Sequence, residues 1–214
     1  GTIGGKAGEG LTPLDVVKFG SAFAAWVQQQ FPQEKLKIVV GRDARISGEM
    51  VNNLLTNTFV GMGIDVVDLG LSTTPTVEMA VPYYGSHAGV ILTASHNPGI
   101  WNALKLVNNK GEFISGHDGE KVLQIADNED FEYASVDELG KIEIVQNAFL
   151  DEHIAQILQL KLVDKHAIES RNLKVVVDGV CSSGGIAVPM LLKALGVKDI
   201  IELYCEPTGV FPHN

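Results

Sequence analysis

The chain has 214 residues, 45% of them hydrophobic, and a formal net charge of −10 from 16 Lys and Arg against 26 Asp and Glu. That balance argues against nucleic acid or an anionic membrane as a general partner, but not against an anionic small molecule met by a local basic cluster. No apolar run approaches the roughly 20 residues of a membrane span, and the opening GTIGGKAGEG has no apolar signal core, so a soluble cytoplasmic protein is expected.

Leu11–Gln30 reads as the first helix, with Thr12 at its N-cap, Pro13 at its first position, and Leu14, Val17, Phe19, Phe23, Trp26 and Val27 at helical spacing. Leu36–Gly41 is a short apolar strand, followed by the polar loop RDARIS, in which Ser47 is placed to cap a helix reaching about Met62. Ile64–Gly70 is a second strand, STTPT starts a helix to about Tyr83, and AGVILTA is a third strand. Leu104–Asn108 suits a further strand, and GHDGEKVLQIAD a helix after it. From Glu129 to Glu143 acidic residues accumulate and apolar periodicity weakens. A new helix is expected over Asn147–Leu160, then a strand at Leu173–Gly179, a helix at SGGIAVPMLLKALG and a strand at DIIELYC.

Strands that are apolar throughout and alternate with helices belong to α/β folds, in which helices cover both faces of a mostly parallel sheet. Two units are expected: residues 1–143, and residues 144–214, which stop at FPHN without a closing element and read as the start of a longer domain. Cys181 and Cys205 lack CxxC spacing and read as buried, reduced thiols. His87, His117, His153 and His166 are scattered without metal-ligand spacing and read as surface or satisfied polar residues.

Ligands of parallel α/β sheets bind beyond the carboxyl ends of the strands. Three polar loops fall there: GRDARIS, STTPT and TASHNP. Their convergence would hold Ser95 at a strand end, with His96 and Asn97 beside it and Pro98 restricting the exit. Arg42 and Arg45 are fixed cations with planar forks that suit phosphate, and Lys105 returns toward the same mouth. A serine among cations points to phosphoryl chemistry, whereas acyl transfer is disfavoured because no GxSxG elbow is present. Two plainer readings stay open: a turn whose Ser and Asn satisfy backbone donors, and Arg42 and Arg45 paired with Asp43 or Glu49 at the surface. GVCSSGG lacks both the GK[ST] ending and the GxGxxG pattern, so it reads as a tight turn between strand and helix.

TASHNP (Thr93–Pro98) resembles the phosphoserine loop of the α-D-phosphohexomutase family, the phosphoglucomutases and phosphomannomutases. GRDARIS (Gly41–Ser47), the opening GTIGG, LSTTPT (Leu71–Thr76) and KVVVDG resemble further motifs of that family, in the same order over essentially the whole chain. The resemblance implies a mixed, mostly parallel sheet sandwiched by helices over residues 1–143, and the start of a second α/β domain over residues 144–214. It implies interconversion of hexose 1-phosphate and hexose 6-phosphate, of glucose or mannose, through a bisphosphorylated sugar. Ser95 would carry the phosphoryl group and ligate Mg²⁺ through it; His96 and Lys105 would serve acid/base or phosphate contacts; Lys6, Arg42 and Asn97 would bind substrate phosphate. Glucose 1,6-bisphosphate, or the matching hexose bisphosphate, is the implied activator.

The sequence departs from the family where Ile3 replaces a serine or threonine, where Lys6 replaces an arginine, and where Ala103 replaces a glycine. If the glycine's position needs a positive φ, Ala103 would be strained and a different local turn is expected. The family's metal, sugar and second phosphate loops find no match, so the remaining metal ligands and C-terminal domains are expected on a longer chain. Phosphoglucosamine mutase is the near alternative, and a non-catalytic phosphosugar-binding module the more distant one.

Overall fold

In the computed structural model, which describes residues 1–145 and 148–213, helices and strands alternate as the apolar runs predict. Helix α1 (Pro13–Gln30) starts at a capping box: the Thr12 hydroxyl accepts from the Asp15 amide, and the Asp15 carboxylate accepts from the Thr12 amide at 2.9 Å. Its core stripe runs through Val16, Phe23 and Val27. Leu14, expected on that stripe, is 70% exposed, whereas Val16 is fully buried and Gly20 packs against Leu55 and Thr58.

Strands β1 (Lys37–Arg42), β2 (Asp65–Leu71), β3 (Ala88–Leu92), β4 (Leu104–Val107) and β5 (Ile142–Ile144) form one sheet in the order β4-β3-β1-β2-β5. Every neighbouring pair is parallel except β3 with β4. The apolar strands are explained by burial on both sides. Ile38 and Val40 of β1 pack toward α1, α2 (Gly48–Gly61) and α4 (Gly116–Asn128), while Val39 packs toward α3 (Thr74–Tyr83) and α5 (Ala148–Leu158). Each such side chain fully removed from water contributes about 1.5–3 kcal/mol.

Three expectations change. Ser47 precedes α2 but makes no side-chain cap; its backbone is already helical, and its hydroxyl accepts from Asn102 Nδ2 at 3.0 Å instead. The acidic stretch after Glu129, where apolar periodicity weakens and no element is expected, contributes a strand. It crosses the sheet edge and adds β5, whose Ile142, Glu143 and Ile144 pair with Val66, Val67 and Asp68 although all three are exposed. Cys181 and Cys205 are free thiols but only half-buried.

The expected helix start at Asn147 lies outside the described residues, as does Asn214; the described helix α5 ends at Leu158 rather than Leu160. Beyond it come α6 (Lys165–Ser170), which the sequence did not announce, then β6 (Lys174–Asp178), α7 (Gly184–Ala194) and β7 (Asp199–Leu203). Strands β6 and β7 form a separate parallel pair. Among the described residues no helix is long and apolar enough to cross a membrane.

Candidate functional site

The carboxyl ends of β1, β2 and β3 open into a crevice of about 330 Å³. Asp43 comes from the first loop, Ser72 and Thr73 from the second, and Thr93, Ser95 and His96 from the third. The three polar loops therefore converge as their sequence positions predict. On the far side Ser182, Ser183 and His213 close the crevice from the second unit.

Ser95 is exposed and its φ is +55°, in the left-handed region that residues with a side chain avoid. Such a backbone persists only where surrounding contacts over-determine it. The contacts are supplied by Arg45, whose side chain is fully buried. Its Nη2 donates to the carbonyls of Ser95 and Asn97, both at 2.9 Å, and its Nη1 to those of Pro98 at 2.8 Å and Trp101 at 2.9 Å. Its Nε donates to Asp43 Oδ2 at 3.0 Å. One planar guanidinium thus gathers four carbonyls of the serine loop and is neutralised by a carboxylate, which is what a buried arginine requires.

Asp43 is equally committed. Its Oδ1 accepts from the Arg45 amide at 3.0 Å, and its Oδ2 also accepts from the Thr93 hydroxyl at 2.7 Å. Thr93 Oγ1 in turn accepts from the Ser95 amide at 3.2 Å. The loop is therefore held from beneath while the exposed Ser95 hydroxyl faces the crevice, hydrogen-bonded with His96 Nδ1 at 3.4 Å.

The other candidate residues are placed differently. Asn97 lines the crevice, but its Nδ2 donates to the Ala94 carbonyl at 2.9 Å and so braces the loop. Arg42 turns away from the crevice, donating to the Asp43 carbonyl at 3.2 Å beside Gly48 at the start of α2. Arg45 pairs with Asp43, as the plainer reading allows, yet in the interior rather than at the surface. Lys6 is exposed in the N-terminal loop and has no side-chain partner among the described residues. Lys105 lies on β4 opposite Ile91, a crevice residue. Burial raises the pKa of Glu78 on α3, and the charge of Lys105 partly offsets that rise. Ala103 shows no positive φ, so it adopts its turn without strain; Asn102, fully buried, accepts from its amide at 2.8 Å.

Sequence reasoning missed Asp178 and His213. Asp178 ends β6, accepts from the Val180 amide at 3.0 Å and pairs with His213 Nε2 at 2.9 Å. The Val180 amide, and then His213, hold its carboxyl below the usual range. A carboxylate at a strand's carboxyl end was the available signal, in KVVVDG; nothing local marked His213. Among the described residues no three His, Cys, Asp or Glu side chains group as metal ligands. Asp43, the carboxylate in the crevice lining, is engaged by Arg45 and Thr93, so the described residues of this chain alone do not fit the implied Mg²⁺.

Comparison with known proteins bears on the family and the fold. Residues 2–133 match the family described as phosphoglucomutase/phosphomannomutase, alpha/beta/alpha domain I. A phosphoglucomutase/phosphomannomutase of Thermococcus kodakarensis is 34% identical over 99% of this chain and 46% of its own length. A protein of Methanopyrus kandleri named "Probable phosphoglucosamine mutase" is 32% identical over 98% of this chain and 43% of its own. The crystal structure of a phosphoglucomutase/phosphomannomutase family protein from Burkholderia thailandensis superimposes with a TM-score of 0.80 at 28% identity, over 98% of this chain and 44% of that one. The chain spans less than half the length of these relatives. With the matched domain covering more than half of its residues, the chain belongs to the phosphoglucomutase/phosphomannomutase family.

Proposed function

We propose that this chain is the N-terminal part of a phosphohexomutase that interconverts hexose 1-phosphate and hexose 6-phosphate, of glucose or mannose, with Ser95 as phosphoryl carrier. The observation that supports it is the Ser95 hydroxyl, exposed at the crevice on a left-handed backbone that a buried arginine holds in place.

In the forward step an oxygen of the bound sugar attacks the phosphorus on Ser95. The bond from phosphorus to Oγ breaks as the bond to the sugar oxygen forms, the sugar hydroxyl gives up its proton, and Oγ takes one up. His96 Nδ1, 3.4 Å from Oγ, is placed to exchange that proton. The bisphosphorylated sugar then reorients, and its other phosphate returns to Ser95 by the reverse chemistry. Lys105, on β4 opposite the crevice residue Ile91, would serve the acid/base or phosphate contact. Charge neutralisation at the transferring oxygens is the chemistry Mg²⁺ supplies in such reactions, and its remaining ligands have to come from residues outside this chain. Glucose 1,6-bisphosphate would charge Ser95 at the start.

The test uses the full-length protein with Mg²⁺ and a trace of glucose 1,6-bisphosphate. Glucose 1-phosphate should be converted to glucose 6-phosphate, and Ser95→Ala should lose at least about a thousandfold of that rate, as removal of a covalent carrier does. Unchanged turnover in the variant removes Ser95 as the carrier. The 214-residue chain alone should show none. Several relatives carry the name "Probable phosphoglucosamine mutase", so glucosamine phosphates belong in the same assay; turnover of these alone would favour that second reading. Binding of the bisphosphate without phosphate ever reaching Ser95 would favour a non-catalytic module.

A further inference from the structure

Arg45 does more than gather the serine loop. Its guanidinium carbon Cζ lies over the Phe211 ring, 5.0 Å from the centroid, and Phe211 belongs to the second unit. Phe211 also lines the crevice. Two more contacts join the same places: the Ala44 amide donates to Ser182 Oγ at 3.3 Å, and the backbone of Gly209, at φ +73°, runs so close to the Ala44 carbonyl that a Cβ there would collide with it. The loop containing Gly209 and Phe211 is therefore seated directly on the Asp43–Arg45 corner, not merely near it.

One guanidinium serves both units. Its N–H groups bind Asp43 and the carbonyls of Ser95, Asn97, Pro98 and Trp101, and its Cζ lies over an aromatic ring from more than one hundred residues later. A cation held against a ring in a dry setting is attracted by the ring's negative face. A shift of Phe211 is thus felt by the same rigid fork that sets the Ser95 carbonyl. Because Ser95 sits in a disfavoured backbone region, small losses at the fork are enough to let the loop relax.

We propose that Arg45 and Phe211 are positioning residues that couple the seating of the second unit to the geometry of the phosphoserine loop. Neither touches the reacting atoms; Arg45 acts through the Ser95 carbonyl, and Phe211 acts through Arg45. The consequence for catalysis rests on the phosphoserine reading above, whereas the coupling itself does not. In a reaction whose intermediate has to turn within the crevice, such a link restores the attacking geometry whenever the second unit is seated. Misplacement of a reacting group by about 1 Å is enough to cost orders of magnitude in rate.

The test uses full-length protein carrying Phe211→Leu, which keeps apolar bulk and removes the ring, and Phe211→Tyr, which keeps the ring. Arg45→Lys serves as a harsher third variant, since it keeps charge and loses the fork. Phe211→Leu should lower kcat about tenfold, equivalent to about 1.4 kcal/mol of transition-state stabilisation, with KM unchanged within about twofold. It should also raise amide exchange across residues 93–101, and Phe211→Tyr should restore both. Native kcat together with native exchange in Phe211→Leu overturns the proposal, as does a loss confined to thermal stability or to KM. If Ser95→Ala retains turnover, the phosphoserine reading falls while the exchange arm still decides the coupling. If Ser95→Ala is inactive and Phe211→Leu is native in both readouts, the coupling alone is wrong.

Discussion

At the scale of single residues the crevice is organised by satisfaction of polar groups. The Ser95 hydroxyl faces the crevice, whereas Thr93, Asp43, Arg45 and Asn97 each direct their side-chain polar groups into the loop's own framework. Thr93 shows the economy of this arrangement, since one hydroxyl donates to Asp43 and accepts from the Ser95 amide. Thr93→Val would leave the Ser95 amide without that acceptor and remove a bond to a charged carboxylate. The expected cost is about 1–3 kcal/mol, read as a lower urea midpoint with an unchanged slope. TASHNP and GRDARIS were legible as crevice loops because they follow the ends of β3 and β1, where ligands of parallel sheets bind. How the two arginines are used was not legible. Arg42 and Arg45 differ by three positions, and only the path of the chain after β1 sends Arg45 inward beneath the serine loop and Arg42 toward α2.

At the scale of elements, ends are set by caps that can be tested one at a time. Thr12 donates to Asp15 Oδ2 at 2.5 Å, and this hydroxyl is the largest influence holding the Asp15 carboxyl below its usual range. A carboxyl with a lowered folded-state pKa stabilises above its unfolded value, about 3.9, and loses that contribution as pH falls through the lowered value. Thr12→Ala should therefore cost about 1 kcal/mol near neutrality, and the difference from wild type should shrink in unfolding curves taken below about pH 4. A pH-independent difference would contradict the role given to Asp15. The cap at Thr12 and the two-sided burial of β1 to β3 follow from local pattern, while the caps of α3 at Thr73 and α4 at Ser115 were not named from sequence. Strand β5 does not, because Ile142–Ile144 is short and exposed and exists through its ladder to β2. Ser47 reads as a cap from sequence alone, yet the distant Asn102 claims its hydroxyl.

At the scale of the whole chain, the second unit meets the first at the Arg45–Phe211 corner and through the α3–α5 packing, among other described contacts. In the latter, His153 Nδ1 lies 3.1 Å from Thr76 Oγ1, and its ring stacks on Phe149. Burial lowers the pKa of His153. The folded chain thus resists the proton that the unfolded chain accepts near pH 6.5, so stability is full above that value and falls as the pH drops through the lowered one. Between about pH 7 and 5, His153→Gln should show a shallower loss of thermal midpoint than wild type; equal slopes would remove His153 as the cause. These meeting points pair residues 45 with 211 and 76 with 153, separations that periodicity cannot connect, which is why the crevice's far wall was not foreseen. The central claim concerns Ser95, and mass analysis of the full-length protein after treatment with glucose 1,6-bisphosphate tests it most directly. One phosphoryl group on the peptide containing Ser95, discharged on adding a hexose monophosphate, is the expected result; phosphate on another residue, or a phosphate on Ser95 that no sugar removes, would contradict it.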